Sequence, residues 1–185
     1  YITVHANGGL QMLRAVKKKA KKINKNLKIL CVTVLTSLNN KSLKEIGHTK
    51  NVKQLVLKQV DLIKKSGCDG IVCSAQEAMM VRKKNKSLLI ITPGIRLPGD
   101  SLNDQKRIMT PQDAFRNQVS GIVIGRSLTK GNIKNNTNRL LDHLNKWSKV
   151  LKFVGSQIVI LLILYFIINT HPNLLVSYVI TKKVQ

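Results

Sequence analysis

The sequence predicts an α/β fold, part of a (β/α)8 barrel, on three observations. Short β-branched apolar runs recur along the chain, amphipathic helical patterns lie between them, and polar residues collect just past the C-terminal ends of the runs. The runs that read as strands are residues 2–6, 29–37, 70–75, 88–95 and 121–125, each bounded by Gly, Asn, Ser or Pro. Unbroken apolar runs of this kind suit strands buried on both faces, as parallel sheets require.

The intervening segments carry the helical period. Leu13, Val16, Ala20 and Ile23 share one face of the first, leaving Lys17, Lys18, Lys19, Lys21 and Lys22 largely to solvent. Val52, Leu55, Val56, Val60 and Ile63 repeat the pattern, and Leu140, Leu144 and Trp147 give the last helix its inner face. Ser74 with Glu77 forms a capping box, and Thr110-Pro111 places a cap before a first-turn proline. Strand and helix thus alternate from Tyr1 to about Trp147, which fits an open doubly wound sheet or a barrel.

Polar positions favour the barrel. Thr36, Ser74, Arg96 and Arg126 fall at or just past predicted strand ends, where both architectures place their sites. Barrels commonly bind phosphate in the loops after the last two strands, where residues 96–105 and Gly125-Arg126 lie. A whole barrel takes roughly 250 residues. The expectation is therefore an N-terminally truncated TIM barrel of about five βα units over residues 1–148, followed by a hydrophobic C-terminal tail over 149–185. The strands at Ile2 and Gly121 would then be exposed edges, open to another chain.

Arg96 and Arg126 follow consecutive strands with Gln105 between them, an arrangement suited to gripping a phosphate ester. Ser74 reads as a helix cap, since no base accompanies it in the pattern. Gly8-Gly9 serves equally as an anion cradle or a strand-to-helix turn.

Several ordered motifs carry a resemblance: Thr3-Val4-His5-Ala6-Asn7-Gly8-Gly9, Val32-Thr33-Val34-Leu35-Thr36-Ser37, Gly67-Cys68-Asp69-Gly70-Ile71-Val72-Cys73-Ser74-Ala75-Gln76-Glu77-Ala78, Thr92-Pro93-Gly94-Ile95-Arg96, Asp104-Gln105-Lys106-Arg107, Thr110-Pro111 and Val123-Ile124-Gly125-Arg126-Ser127. The chain resembles the C-terminal five-eighths of the orotidine 5′-monophosphate decarboxylase family, strands four to eight of its barrel. The resemblance implies conversion of orotidine 5′-monophosphate (OMP) to UMP and CO2 in pyrimidine synthesis, without a cofactor, by a cytoplasmic homodimer. It implies that Thr36 contacts the pyrimidine and that Arg96, Gln105, Gly125 and Arg126 hold the phosphate. Residues 97–107 would form a lid closing over that phosphate.

The family's lysine–aspartate array, which repels the substrate carboxylate and protonates the carbanion, belongs to its first three strands. Those strands have no counterpart here, so no catalytic residue is assigned in this chain, and Asp69, Asp100 and Asp104 are not read as substitutes. A complementing N-terminal fragment or a second copy of the chain is the expected protein partner. A related barrel acting on a sugar phosphate, as aldolase or epimerase, is the alternative enzyme, and an inactive membrane-associated or nucleic-acid-binding remnant the alternative outside enzymology.

Residues 150–168 are almost wholly apolar apart from Lys152, Ser156 and Gln157. They read as a short membrane span, a helix packed over the open barrel, or out-of-frame sequence. His171-Pro172-Asn173 then marks a turn before a last apolar run, 174–180. The net charge of +24 over 185 residues ordinarily points to nucleic acid or an anionic surface. Here the lysines are spread over helix faces, and aromatic residues make up only 4%, leaving few platforms for bases; residues 17–22 form the best basic patch. Cys31, Cys68 and Cys73 read as buried thiols, and His5, His48, His143 and His171 complete no metal-ligand spacing. No metal or organic cofactor is implied.

Overall fold

The computed structural model describes residues 1–101, 106–152 and 178–181. Five parallel strands, β1 (Ile2–His5), β2 (Ile29–Val32), β3 (Gly70–Val72), β4 (Leu89–Thr92) and β5 (Gly121–Ile124), pair in strict sequence order. Sequential neighbours are the arrangement of a barrel wall. A doubly wound sheet instead reverses its order at a switch point, so the topology decides for the TIM-barrel type.

A further strand, β6 (Tyr178–Thr181), pairs antiparallel with β5, Ile122 opposite Ile180. The expected bare edge at Gly121 is therefore covered, because β5 finds its backbone partners in the run after the His171-Pro172-Asn173 segment. β1 ends the sheet on the other side, with Ile2 half exposed.

The helices cover the sheet as their patterns require. In α1 (Gly9–Ile23) Leu13 and Ala20 are buried and the lysines of the opposite face are not. Ile23, expected inside, is 70% exposed: the helix stops there as Asn24 turns extended, carrying Ile23 beyond the sheet. The short α2 (Asn40–Glu45), which no apolar period signals, is capped by Asn39. A capping box of Asn51 and Gln54 starts α3 (Val52–Ser66), which buries Val56, Val60 and Ile63.

The other caps follow the sequence. Ser74 and Glu77 close the box at α4 (Ala75–Lys84), with Ser74 N–H donating to Glu77 Oε2 at 3.0 Å. Thr110 caps α5 (Pro111–Arg116) through the Asp113 N–H. A single turn, α6 (Arg126–Thr129), and α7 (Ile133–Lys152) complete the chain's helices among the described residues. Leu140 and Leu144 of α7 are buried as expected. Residues 153–177, most of the apolar tail, lie outside the described residues, and no helix among the described residues is long and apolar enough to cross a membrane.

The strands are shorter than their apolar runs. The run at 29–37 pairs as β2 only to Val32, with Thr33 N–H adding one bond to Val72 O at 3.0 Å. Beyond that the Val34 and Leu35 carbonyls leave the ladder for a side chain, the Arg107 guanidinium, at 3.0 and 2.8 Å. Likewise Ala75 belongs to α4, and the 88–95 run is β-ladder only from Leu89 to Thr92.

Two features lock the N-terminal edge of the sheet. At Gly70 an added Cβ would stand 2.6 Å from Leu89 O and 2.7 Å from a Leu30 methyl, so the β2–β3–β4 spacing tolerates only glycine. Asp69 accepts from Lys17 Nζ at 2.6 Å and from the Ile29 N–H at 2.8 Å, tying α1 to the start of β2. Burial opposes the charge on Asp69, but the Lys17 hydrogen bond, the Ile29 N–H and the charges of Lys17 and Lys28 outweigh it and hold the carboxyl below its ordinary value.

Two outcomes follow. Gly70→Ala forces backbone displacement and is expected to lower stability by about 1–3 kcal/mol in denaturant unfolding; an unchanged midpoint would show that the strands part freely. Because the folded Asp69 binds its proton less tightly than the unfolded one, its contribution is present above the ordinary carboxylate range and is lost as pH falls through it. Asp69→Asn should therefore lower stability at pH 7 and flatten its decline between about pH 5 and 2, read by thermal unfolding across that range.

Candidate functional site

The parallel sheet directs the loops after β2, β3, β4 and β5 to one edge, and there the basic side chains converge. A cavity of about 220 Å3 is lined by Arg96, Arg126, Lys130 and Arg139, with Asp100 as the only carboxylate among the described residues and Ser101, Ser127 and Asn136 adding polar groups. Among the described residues, four cations against one carboxylate give the cavity a positive potential.

The β4 side of the cavity is built by a backbone excursion. Gly94 holds a left-handed φ of 76°, which turns the chain out of β4 without a Cβ penalty. The chain returns at Met109, whose N–H bonds Gly94 O and whose carbonyl accepts from Arg96 N–H, both at 3.1 Å, with Ile95 bridged parallel to Met109. The two ends of the excursion are thus stitched together. Arg96 is 6% exposed and donates through one terminal nitrogen to Ile95 O at 2.9 Å.

The opposite wall comes from β5 and the helices after it. Gly125 precedes α6 and an added Cβ there would meet nothing within 4 Å, so its backbone is open to space at that point. Ser127 is buried, and its hydroxyl has no hydrogen-bond partner among the described residues. From α7, Arg139 reaches Asp100 at 3.1 Å and Pro98 O at 3.2 Å, fastening the start of the excursion to the helix. Asp100 also accepts from Leu97 N–H at 3.3 Å, so its carboxylate shapes the loop.

The residues singled out in the sequence divide accordingly. Arg96 and Arg126 share the cavity, and Gly125 adjoins it. Thr36 is buried in the turn after β2, at the same edge of the sheet but not in the cavity lining; it stands four residues past the strand end, because β2 stops at Val32. Gln105 and Asp104 lie outside the described residues, as does the middle of the 97–107 segment. Ser74 is occupied as a cap, its hydroxyl accepting from Gln76 N–H. Asp69 lies at the far, N-terminal edge. The cysteines Cys31, Cys68 and Cys73 are free and buried, and the described residues hold no cluster of metal-ligand type.

Sequence reasoning missed Lys130, Arg139 and Arg107. The first two were indistinguishable from the other surface cations. Arg107 stands out in sequence only as part of the 104–107 motif, yet it is 8% exposed and forms a 2.5 Å ion pair with Glu77, itself 4% exposed. Burial pushes the Glu77 carboxyl above its ordinary value, while Arg107 and the Ser74 N–H pull it back. The other terminal nitrogen of Arg107 holds Val34 O and Leu35 O, and its own carbonyl lies 3.5 Å from Ser74 Oγ. One side chain thus joins the loop carrying Thr36, the start of α4 and the returning end of the excursion.

Comparison with known proteins identifies the family. Residues 1–138 match the family model described as Orotidine 5'-phosphate decarboxylase / HUMPS family. The chain is 47% identical over 133 residues to the orotidine 5'-phosphate decarboxylase of Buchnera aphidicola subsp. Schizaphis graminum, covering 69% of this chain and 55% of that protein. It is 42% identical over 130 residues to the enzyme of that name from Idiomarina loihiensis, covering 70% and 56%. Among solved structures, orotidine 5'-phosphate decarboxylase from Lactobacillus acidophilus superposes with a TM-score of 0.62 at 31% identity, over 77% of this chain and 62% of that one. The chain spans a little more than half the length of the relatives it matches. By sequence over most of its length and by fold, it belongs to the orotidine 5'-phosphate decarboxylase / HUMPS family.

Proposed function

We propose that this chain forms the phosphate-binding side of an orotidine 5′-monophosphate decarboxylase, which releases CO2 from OMP to give UMP in pyrimidine biosynthesis. The observation that carries the reading is the cavity that brings Arg96 and Arg126 together at the C-terminal edge of the sheet. Arginine forks suit phosphate oxygens, and the open backbone at Gly125 leaves room for N–H groups to approach them. Gln105 is proposed to join them from the 97–107 segment, closing as a lid whose base is held by the Gly94–Met109 stitch. Thr36, at the same edge, is proposed to meet the pyrimidine.

Decarboxylation leaves a carbanion that needs a neighbouring cation and a proton. In this proposal those come from a lysine–aspartate array on strands outside this sequence, which no described residue replaces. The relatives' greater length leaves room for such strands. The free side of β1 is where they would continue the barrel, whether contributed by a separate N-terminal fragment or within a homodimer. No cofactor takes part. The chain is proposed to divide into a barrel part, 1–148, and a tail, 149–185.

The test is binding of UMP to the purified chain, followed by calorimetry or equilibrium dialysis. Arg126→Ala or Arg96→Ala removes charge-assisted hydrogen bonds worth about 1.5–3 kcal/mol and should weaken UMP roughly 10- to 100-fold. A folded wild-type chain that binds no UMP would overturn the reading.

A further inference from the structure

Arg107 does not line the phosphate cavity, yet it is buried, and taking a guanidinium out of water is costly. Its partners show what that cost sustains. On one side stands Glu77, fixed at the N-terminus of α4 by the Ser74 N–H. On the other are the carbonyls of Val34 and Leu35, the two residues before Thr36. The Leu35 carbonyl also accepts from Leu38 N–H at 2.9 Å, closing the turn that holds Thr36. Arg107 is meanwhile the returning end of the excursion that begins at Arg96, two residues before the Met109 stitch. Next to it, Lys106 Nζ reaches Ser42 Oγ at 3.2 Å, tying the returning segment to α2 as well.

We propose that Arg107 is a positioning residue that sets the distance between the Thr36 turn and the phosphate clamp, and thereby lets the site prefer a nucleoside monophosphate over a sugar phosphate that lacks the base. This rests on the phosphate reading above. The guanidinium suits the task because its rigid fork bonds a carboxylate and two peptide carbonyls at once. A lysine would keep the charge opposite Glu77 and lose the fixed fork. Arg96 and Arg126 are held apart from the fork, by Ile95 and within α6, and any change carried along the segment to the phosphate acts on both ligands alike, so the ratio of the two affinities isolates the base.

The experiment measures affinity for UMP and for ribose 5-phosphate on the full chain, with Arg107→Lys beside wild type. Wild type should favour UMP; the variant should lose about tenfold or more affinity for UMP beyond any loss for ribose 5-phosphate, in keeping with the large cost of small misplacements. A purely structural role would lower the unfolding temperature and leave the ratio of the two affinities unchanged, and that result overturns the proposal. Should Arg107→Lys not fold, Glu77→Gln combined with Arg107→Met removes both buried charges, keeps an acceptor for the Ser74 N–H, and carries the same ratio test. Hydrogen exchange gives a ligand-free reading: the Leu38 amide should exchange faster in either variant while the β4 amides do not, and equal protection at Leu38 counts against the proposal. If wild type binds both ligands equally, the positioning inference fails and the phosphate reading stands. If folded wild type binds neither, both fail together.

Discussion

The buried pair of Glu77 and Arg107 is the interaction on which the C-terminal edge of this sheet depends. Parallel strands end with carbonyls pointing toward the loops, and any carbonyl turned inward there must find a donor. The run at 29–37 leaves its ladder after Thr33, and the Arg107 fork supplies the donors for Val34 and Leu35. The same carboxylate that offsets the buried cation completes a helix cap. Three loops are consequently fixed by two side chains.

The opposite edge is solved with different chemistry. There Asp69 gathers the Lys17 ammonium and the Ile29 N–H, and Gly70 lets three strands approach more closely than a side chain would permit. The two edges divide their tasks as barrels do: the N-terminal edge holds the sheet together, and the C-terminal edge carries the cationic cavity. Charge follows the same logic. The net +24 is spread mostly over outward helix faces such as that of α1 and says little about a ligand, whereas among the described residues four cations are gathered around one small cavity, which is what the phosphate proposal rests on.

The sequence by itself determined the β/α alternation, the capping box at Ser74, the N-cap at Thr110, and the placing of Arg96 and Arg126 past consecutive strands. Each of these is local: an apolar period, a cap three residues from its partner, a charge next to a strand end. Thr36 was legible as a residue near the site edge, but the end of β2 was misplaced, since an apolar run does not reveal whether its backbone is paired to a strand or to a side chain. Only the tertiary structure decided the sequential strand order, the covering of β5 by β6, and the recruitment of Lys130 and Arg139 to the cavity. It alone also showed that Arg107 reaches carbonyls 72 and 73 residues away. Contacts of that span depend on how helices and strands stack in space, and a lysine or arginine looks the same in sequence whether it faces water or a buried carbonyl.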